Sequence, residues 1–115
     1  MEILVTSFQE WQIVAICGKF VMKSLGQVIK TFDALEKAEK IFIAIDLQST
    51  TYLDSSAITF LVSVFRLVKQ KNGNIVFFGA NEDIMEVINI VGLDGIFHFY
   101  KTRSQFEQAV TPHLS

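Results

Sequence analysis

The order of hydrophobic and polar residues along the 115-residue chain predicts about five strands. Segments 2–8 and 11–17 are rich in β-branched and aromatic residues, and the short polar pair between them favours a turn between adjacent antiparallel strands. Continuous apolar runs at 41–47 and 74–80 are typical of strands that are covered on both faces. The aromatic segment 95–100 predicts a short last strand.

Four further segments carry the period of a helix. From 24 to 40 the apolar residues recur at i, i+3, i+4, i+7 and i+10, which indicates an amphipathic helix. A second helix is expected over 55–71, and a third after Asn81, whose side chain suits the N-cap position. A fourth should begin at Thr102 or Ser104. We therefore expect four helices.

The resulting order, β-β-α-β-α-β-α-β-α, predicts a single α/β domain over residues 1–115. Strand and helix alternate after the first hairpin, so the sheet should be mostly parallel with an antiparallel edge and right-handed crossovers. The length suits one domain. Half of the residues are hydrophobic, and 11 of them are phenylalanine, which excludes disorder by composition.

Charge and hydropathy limit the partners of the chain. The 12 acidic and 10 basic residues give a net charge of -2 and form no basic stripe, which argues against direct nucleic-acid binding. No run of about 18 apolar residues occurs, so no membrane insertion is expected. Cys17 is the single cysteine. It excludes an intramolecular disulfide and is consistent with a reducing cytoplasm.

Few residues offer catalytic or metal-binding chemistry. The histidines available as a base are His98, in an aromatic strand, and His113, near the end of the sequence. No GxSxG motif surrounds the serines, which disfavours an acyl-transfer enzyme. Glycine-rich phosphate motifs are absent from the sequence, and one cysteine with two separated histidines does not predict a transition-metal site. We expect no enzyme activity and no cofactor.

Two residues are rival candidates for phosphoryl chemistry. Asp46 ends a central strand, where the phospho-acceptor of a response-regulator receiver domain would lie, but the first strand lacks the acids that would hold magnesium. Cys17, directly before Gly18, could carry a phosphoryl group. A small buried thiol is the simpler interpretation of that cysteine.

The stretch "TTYLDSSAITFLV", 50–62, places an acid and two hydroxyls ahead of an apolar helix. We predict Asp54 as the N-cap, with Ser55 and Ser56 in the first turn, where backbone N–H groups lack partners and the helix dipole favours anions. A phosphate there would add about 1.5 to 2 negative charges. Burying it in an interface without a cation would cost several kcal/mol. The fold should survive phosphorylation, whereas a complex would not.

The helix after these serines has more apolar surface than a surface helix normally buries. Its apolar residues cover an arc of roughly 220° at 100° per residue. The stripe predicted to face the core consists of Ile58, Leu61, Val62, Phe65 and Val68. A second stripe beside it consists of Ala57, Phe60, Val64 and Leu67. Either the fold covers both flanks, or Phe60, Val64 and Leu67 contact a partner.

Residues 41–102 resemble the STAS domain of bacterial anti-sigma factor antagonists. The shared pattern is a hydrophobic strand ending in "DL", a "DSS[GA]" helix start, a lysine- and glycine-containing break, here "KNGN" at 71–74, and a "GL...IF" segment. The first third agrees in element order and in Gly18. The resemblance implies a protein that binds an anti-sigma factor, often a serine kinase, and frees a sigma factor. The kinase then phosphorylates the first serine of the pair, here Ser55, and a phosphatase reverses this.

On this resemblance the switch region comprises four polar residues of one segment. Ser55 is the expected phosphorylated residue and Asp54 the cap, with Ser56 and Thr51 as neighbouring polar contacts. The apolar partner-binding surface is expected at Phe60, Val64 and Leu67. The same surface would serve a homodimer, because an apolar flank fits a second copy as readily as a foreign partner.

Two positions depart from the family pattern. Members often carry an acid three residues after the glycine that follows the second strand, where this chain has Val21, and Ala57 replaces the glycine after the serine pair. Alanine is the better helix former. Val21 supports an alternative function, a STAS module that holds its partner permanently within a larger signalling or transport assembly, without phosphorylation.

Overall fold

A computed structural model of the chain describes residues 1–112, so the predicted tail residue His113 lies outside the described residues. The described part forms six strands: β1 Glu2–Phe8, β2 Trp11–Phe20, β3 Phe42–Asp46, β4 Thr50–Leu53, β5 Asn74–Phe78 and β6 His98–Tyr100. It also forms four helices: α1 Leu25–Lys37, α2 Ser55–Gln70, α3 Glu82–Ile90 and α4 Arg103–Val110. A 3₁₀ turn, Met22–Ser24, precedes α1.

The strands form one sheet in the order β1-β2-β3-β5-β6. Strands β1 and β2 pair antiparallel, whereas β2 with β3, β3 with β5, and β5 with β6 pair parallel. This arrangement confirms the predicted mostly parallel sheet with an antiparallel edge and four helices.

The sixth strand, β4, corrects the expected count of about five. It pairs in parallel with the end of β2, where Phe20 lies opposite Leu53, and the register shifts directly after Gly18. Gly18 has a φ of 101°, a conformation that favours glycine. Strand β2 continues past this irregularity to Phe20, beyond the predicted end at 17. Strand β4 was not predicted because its pairing partner is this extension, more than 30 residues away in the sequence.

The core lies on both faces of the sheet. Buried residues of α1, α2 and α3 pack with Val14, Ile45 and Phe77 on one face. On the other face Phe106 of α4 packs with residues of β2, β3 and β5, namely Trp11, Ile13, Ala44, Val76 and Phe78. Neighbouring residues of a strand therefore serve opposite faces, which explains the continuous apolar runs of β3 and β5.

The orientation of α2 differs from the prediction. Its buried line is Ala57, Leu61, Val64 and Val68. Val64 was expected in the partner-binding surface, but it is 7% exposed and belongs to the core, so for this residue the fold itself covers the flank. The centre of the wide apolar arc faces the sheet, and both flanks are half-buried. Phe60 packs edge-on against Phe32 of α1, while Phe65 on the other flank contacts Phe97.

Capping residues in the sequence predicted the helix starts correctly. The Asn81 side chain accepts a hydrogen bond from the Ile84 backbone N–H at 2.8 Å, and the Thr102 hydroxyl accepts one from Gln105 at 3.1 Å. The last strand begins only at His98, because the segment before it forms a turn in which the backbone N–H of Phe97 donates to Leu93. Within residues 1–112, no helix combines the length and apolar character needed to cross a membrane.

Candidate functional site

Asp54 joins the start of α2 to the end of β2. Its Oδ1 accepts a hydrogen bond from the Ala57 backbone N–H at 2.9 Å, which confirms the predicted N-cap. Its Oδ2 accepts from the Met22 backbone N–H at 2.9 Å, and its own N–H donates to the carbonyl of Phe20. These bonds, that from Ala57 first and that from Met22 next, hold the pKa of the carboxyl below its ordinary value of 3.8.

Ser55 is the first residue of α2 and its side chain is exposed. Ser56 follows it and is half-buried. Within residues 1–112 the hydroxyl of neither serine forms a hydrogen bond, so the Ser55 hydroxyl is accessible to an external reactant. The helix has no acidic residue in its first turn, so the positive end of its dipole is complemented by Asp54 alone.

An open depression of about 440 Å³ lies beside Ser55. The residues that line it are Leu25, Ser55, Ser56, Thr59, Phe60 and Ser63. Leu25 belongs to α1 and the others to α2, so the depression follows the seam between these helices. The structure thus brings the predicted switch serine and one predicted partner-binding residue, Phe60, onto the same concave surface.

A second concavity, which we call the α1–α2 cleft, extends along the later part of α2. Its volume is about 300 Å³. Phe32, Ile41, Ile43, Phe60, Val64 and Leu67 supply most of its apolar lining. The cleft and the depression share Phe60 and Ser63. Leu67 therefore faces the cleft rather than the surface beside Ser55, and Val64 contributes from the core.

The turn after β2 also belongs to the site. The hydrogen bond from Met22 to Asp54 places this turn beside the start of α2, and the Met22 side chain is 69% exposed. Val21, which stands where the family often has an acid, is half-buried in the same turn. Met22 and Leu25 were not predicted as site residues. Leu25 lies in the apolar periodicity of segment 24–40, but only the packing of α1 against α2 shows its position.

The remaining predicted residues lie apart from this arrangement or make other contacts. Thr51 is exposed on β4, and within the described range it forms no hydrogen bond to either serine. The Asp46 carboxylate accepts a hydrogen bond from the Gln48 backbone N–H at 2.9 Å, and Cys17 is half-buried in β2. His98 is exposed on β6, where its ring lies 4.4 Å from that of Tyr100.

Sequence and fold agree on the class of this protein. Residues 7–106 match the sequence model of the STAS domain, and the chain belongs to the STAS domain family. This membership confirms the resemblance seen in the motifs. Over 81 residues the chain is 25% identical to the anti-sigma-B factor antagonist of Listeria monocytogenes, a match that covers 70% of this chain and 71% of that protein.

Solved structures show the same fold. A proposed anti-sigma factor antagonist from Thermotoga maritima superposes with a TM-score of 0.88 at 18% identity, covering 94% of this chain and 93% of the other. The Bacillus cell fate determinant SpoIIAA in its phosphorylated form superposes with a TM-score of 0.72 at 11% identity, covering 94% and 99% of the two chains.

Proposed function

We propose that this protein is an anti-sigma factor antagonist that is switched by phosphorylation of Ser55. The unphosphorylated form binds an anti-sigma factor and so frees a sigma factor, and the phosphorylated form does not bind. The observation that carries the proposal is the position of Ser55, exposed at the start of α2 on the rim of a depression that also contains Phe60. The name of the Listeria relative and the phosphorylated state of SpoIIAA support it.

The electrostatics of the helix start favour a change of surface rather than a change of fold. A phosphate on Ser55 gains roughly 0.3–1 kcal/mol from the helix dipole. Asp54 opposes that gain, because its carboxylate is adjacent and already accepts the N–H groups of Ala57 and Met22. The two effects offset each other, so the stability of the domain should change little and the phosphate should remain at the surface.

The same phosphate would act strongly on a bound partner. A partner that covers the depression removes water from its rim, where Ser55 lies next to the apolar side chains of Leu25 and Phe60. Desolvating a dianion without a matching cation costs several kcal/mol. At 1.4 kcal/mol per factor of ten, the affinity should fall by at least about a hundredfold.

We further propose that the partner is itself a serine kinase and that the protein acts in the cytoplasm as a binding protein without turnover of its own. The Ser55 hydroxyl would attack the γ-phosphate of ATP, release ADP and lose its proton to a base of the kinase. A phosphatase would then hydrolyse the phosphoserine with water, which returns the free hydroxyl and inorganic phosphate.

Mass spectrometry of the native protein tests the switch. The protein is isolated from its own cells under several growth and stress conditions, and its intact mass is measured before and after phosphatase treatment. A phosphate that maps to Ser55 supports the proposal. An unmodified Ser55 under every condition contradicts it.

Val21 favours a second candidate, a STAS module that holds its partner without phosphorylation. This residue lies in the turn that Asp54 fixes beside Ser55, so an apolar side chain replaces the family's usual acid near the site of modification. In that case Ser55→Ala and Ser55→Asp should bind the partner equally well, whereas the switch requires that Ser55→Asp alone binds weakly.

A further inference from the structure

The α1–α2 cleft has the form of a ligand site. Its volume of about 300 Å³ lies at the lower end of the range for small-molecule pockets. Protein interiors are normally filled to crystal density, so a concavity of this size between two packed helices leaves apolar side chains without contacts on one side. The rings of Phe32 and Phe60 meet there at a centroid distance of 5.6 Å, which gives the cleft an aromatic wall.

Charged residues surround the mouth of the cleft. Lys71, after the end of α2, pairs with Glu36 of α1 through an Nζ–Oε1 distance of 3.5 Å. This pair leaves Asp33, Glu39 and Lys40 at the mouth, and within residues 1–112 none of these three forms an ion pair. An entering ammonium group is therefore attracted by two carboxylates and repelled by one cation. An entering carboxylate is repelled by the two carboxylates and attracted only by the cation.

We propose that the α1–α2 cleft binds a small organic cation, an amine with an aromatic or alkyl body. The apolar body would lie against Phe32, Phe60 and Leu67, and the ammonium group would lie at the mouth near Asp33 and Glu39. This site shares Phe60 and Ser63 with the depression beside Ser55, but it follows the later part of α2 and does not include Ser55, the first residue of that helix. The inference does not depend on the proposed function.

Three probes of similar shape test the proposal on the full chain. Phenylbutylamine, phenylbutanol and phenylbutyrate share an aromatic body and differ in charge. Each is titrated into ¹⁵N-labelled protein while backbone amide shifts are followed by NMR. We expect shifts that centre on the cleft, and an affinity for the amine about tenfold above that for the acid, with the alcohol between them. Absence of shifts at the cleft, or equal affinity for amine and acid, overturns the proposal.

Charge variants test the mouth without disturbing the core. Asp33→Asn combined with Glu39→Gln should weaken binding of phenylbutylamine about fivefold and leave phenylbutanol unaffected. The matched control, Glu86→Gln combined with Asp94→Asn, makes the same change in charge at exposed positions outside the cleft and should not alter binding. Equal effects of the two double variants would contradict the assigned position of the cation.

Filling the cleft gives a second test. Leu67 is half-buried in its wall, so Leu67→Trp should occupy the volume and abolish binding of the amine and the alcohol together. The thermal melt and the dispersion of the NMR spectrum report whether this variant folds. Retained binding in a folded Leu67→Trp protein overturns the proposal, and the exposed charge variants decide it if the larger side chain prevents folding.

Discussion

The starts of α2 and α3 use the same capping geometry but differ in charge. Asp54 and Asn81 each accept the backbone N–H three residues ahead, at 2.9 and 2.8 Å. The first turn of α3 then carries Glu82 and Asp83, which complement the helix dipole permanently. The first turn of α2 carries no acidic residue and exposes Ser55 instead. The start of α3 thus has two carboxylates in its first turn, whereas the start of α2 has the Asp54 carboxylate alone, and on the proposed function a phosphate on Ser55 would add negative charge there.

Their surroundings differ as well. The second carboxylate oxygen of Asp54 binds the turn at Met22, an exposed apolar residue, and the depression with Phe60 begins directly beyond Ser55. The Asn81 amide instead donates to the carbonyl of Thr50 at 3.4 Å, a contact within the fold. The Asn81 cap thus contacts only the fold, whereas the Asp54 cap lies beside the surface that we propose binds the partner.

A charge change at the start of α2 should affect partner binding far more than a charge change at the start of α3. Ser55→Asp should weaken binding of the anti-sigma factor by at least about tenfold, because it places a desolvated charge in the interface. The melting temperature should stay nearly unchanged. Glu82→Gln alters the charge at the start of α3 by one unit and should leave binding intact. Calorimetric titration and thermal melts provide both measurements, and equal binding by wild type and Ser55→Asp would rule out the switch.

A smaller difference in partner binding is expected between substitutions on the two flanks of α2. Phe60→Ala and Phe65→Ala each remove a half-buried ring, so each should lower the free energy of unfolding by about 2 kcal/mol, against roughly 3–5 kcal/mol for a fully buried ring. Only Phe60→Ala should also weaken partner binding, by about fivefold, because Phe60 lines the depression beside Ser55. Urea denaturation tests whether the two variants are equally stable. If both variants lose the same amount of binding affinity, the partner does not bind specifically at Phe60.

Removing the N-cap side chains of α2 and α3 should lower the stability by different amounts. Asn81→Ala should lower the free energy of unfolding by about 1 kcal/mol. Asp54→Ala should cost more, because it removes the bond to Met22 in addition to the cap. Urea denaturation of the two variants measures the difference. If both substitutions lower stability equally, the link between Asp54 and Met22 has no structural importance.

The smallest effect depends on pH. The pKa of Asp54 is lowered in the folded protein, so its carboxylate contributes stability that is fully present above 3.8 and is lost as the pH falls through the lower folded value. The difference in free energy of unfolding between wild type and Asp54→Asn should be constant near neutral pH and shrink in acid below 3.8. Urea melts across this range measure it. A difference that grows in acid would contradict the hydrogen bonds assigned to Asp54.

The sequence predicted what depends on local chemistry. Asp54 and Asn81 were identifiable as caps and Thr102 was one of two candidates, because an N-cap needs only a short polar side chain ahead of an apolar period. The serine pair stood out for the same reason. The motifs around it then indicated the STAS family, which the match over residues 7–106 confirms.

Features that depend on distant contacts were harder to predict. Strand β4 forms because β2 continues past Gly18, and nothing in the four residues of β4 shows this pairing. Periodicity gave the width of the apolar arc on α2 but not the direction in which it points, so Val64 was a candidate partner-binding residue although it is buried. The depression and the cleft exist because α1 packs beside α2, a contact that joins Leu25 and Phe32 to residues far along the chain.

On the proposed function, one phosphate on Ser55 controls docking without altering the fold. Calorimetric titration can compare the affinity of the anti-sigma factor for the unmodified protein and for protein that carries phosphoserine only at position 55. We expect a loss of at least about a hundredfold with an unchanged melting temperature. Equal affinities, or a loss accompanied by unfolding of the domain, would contradict it.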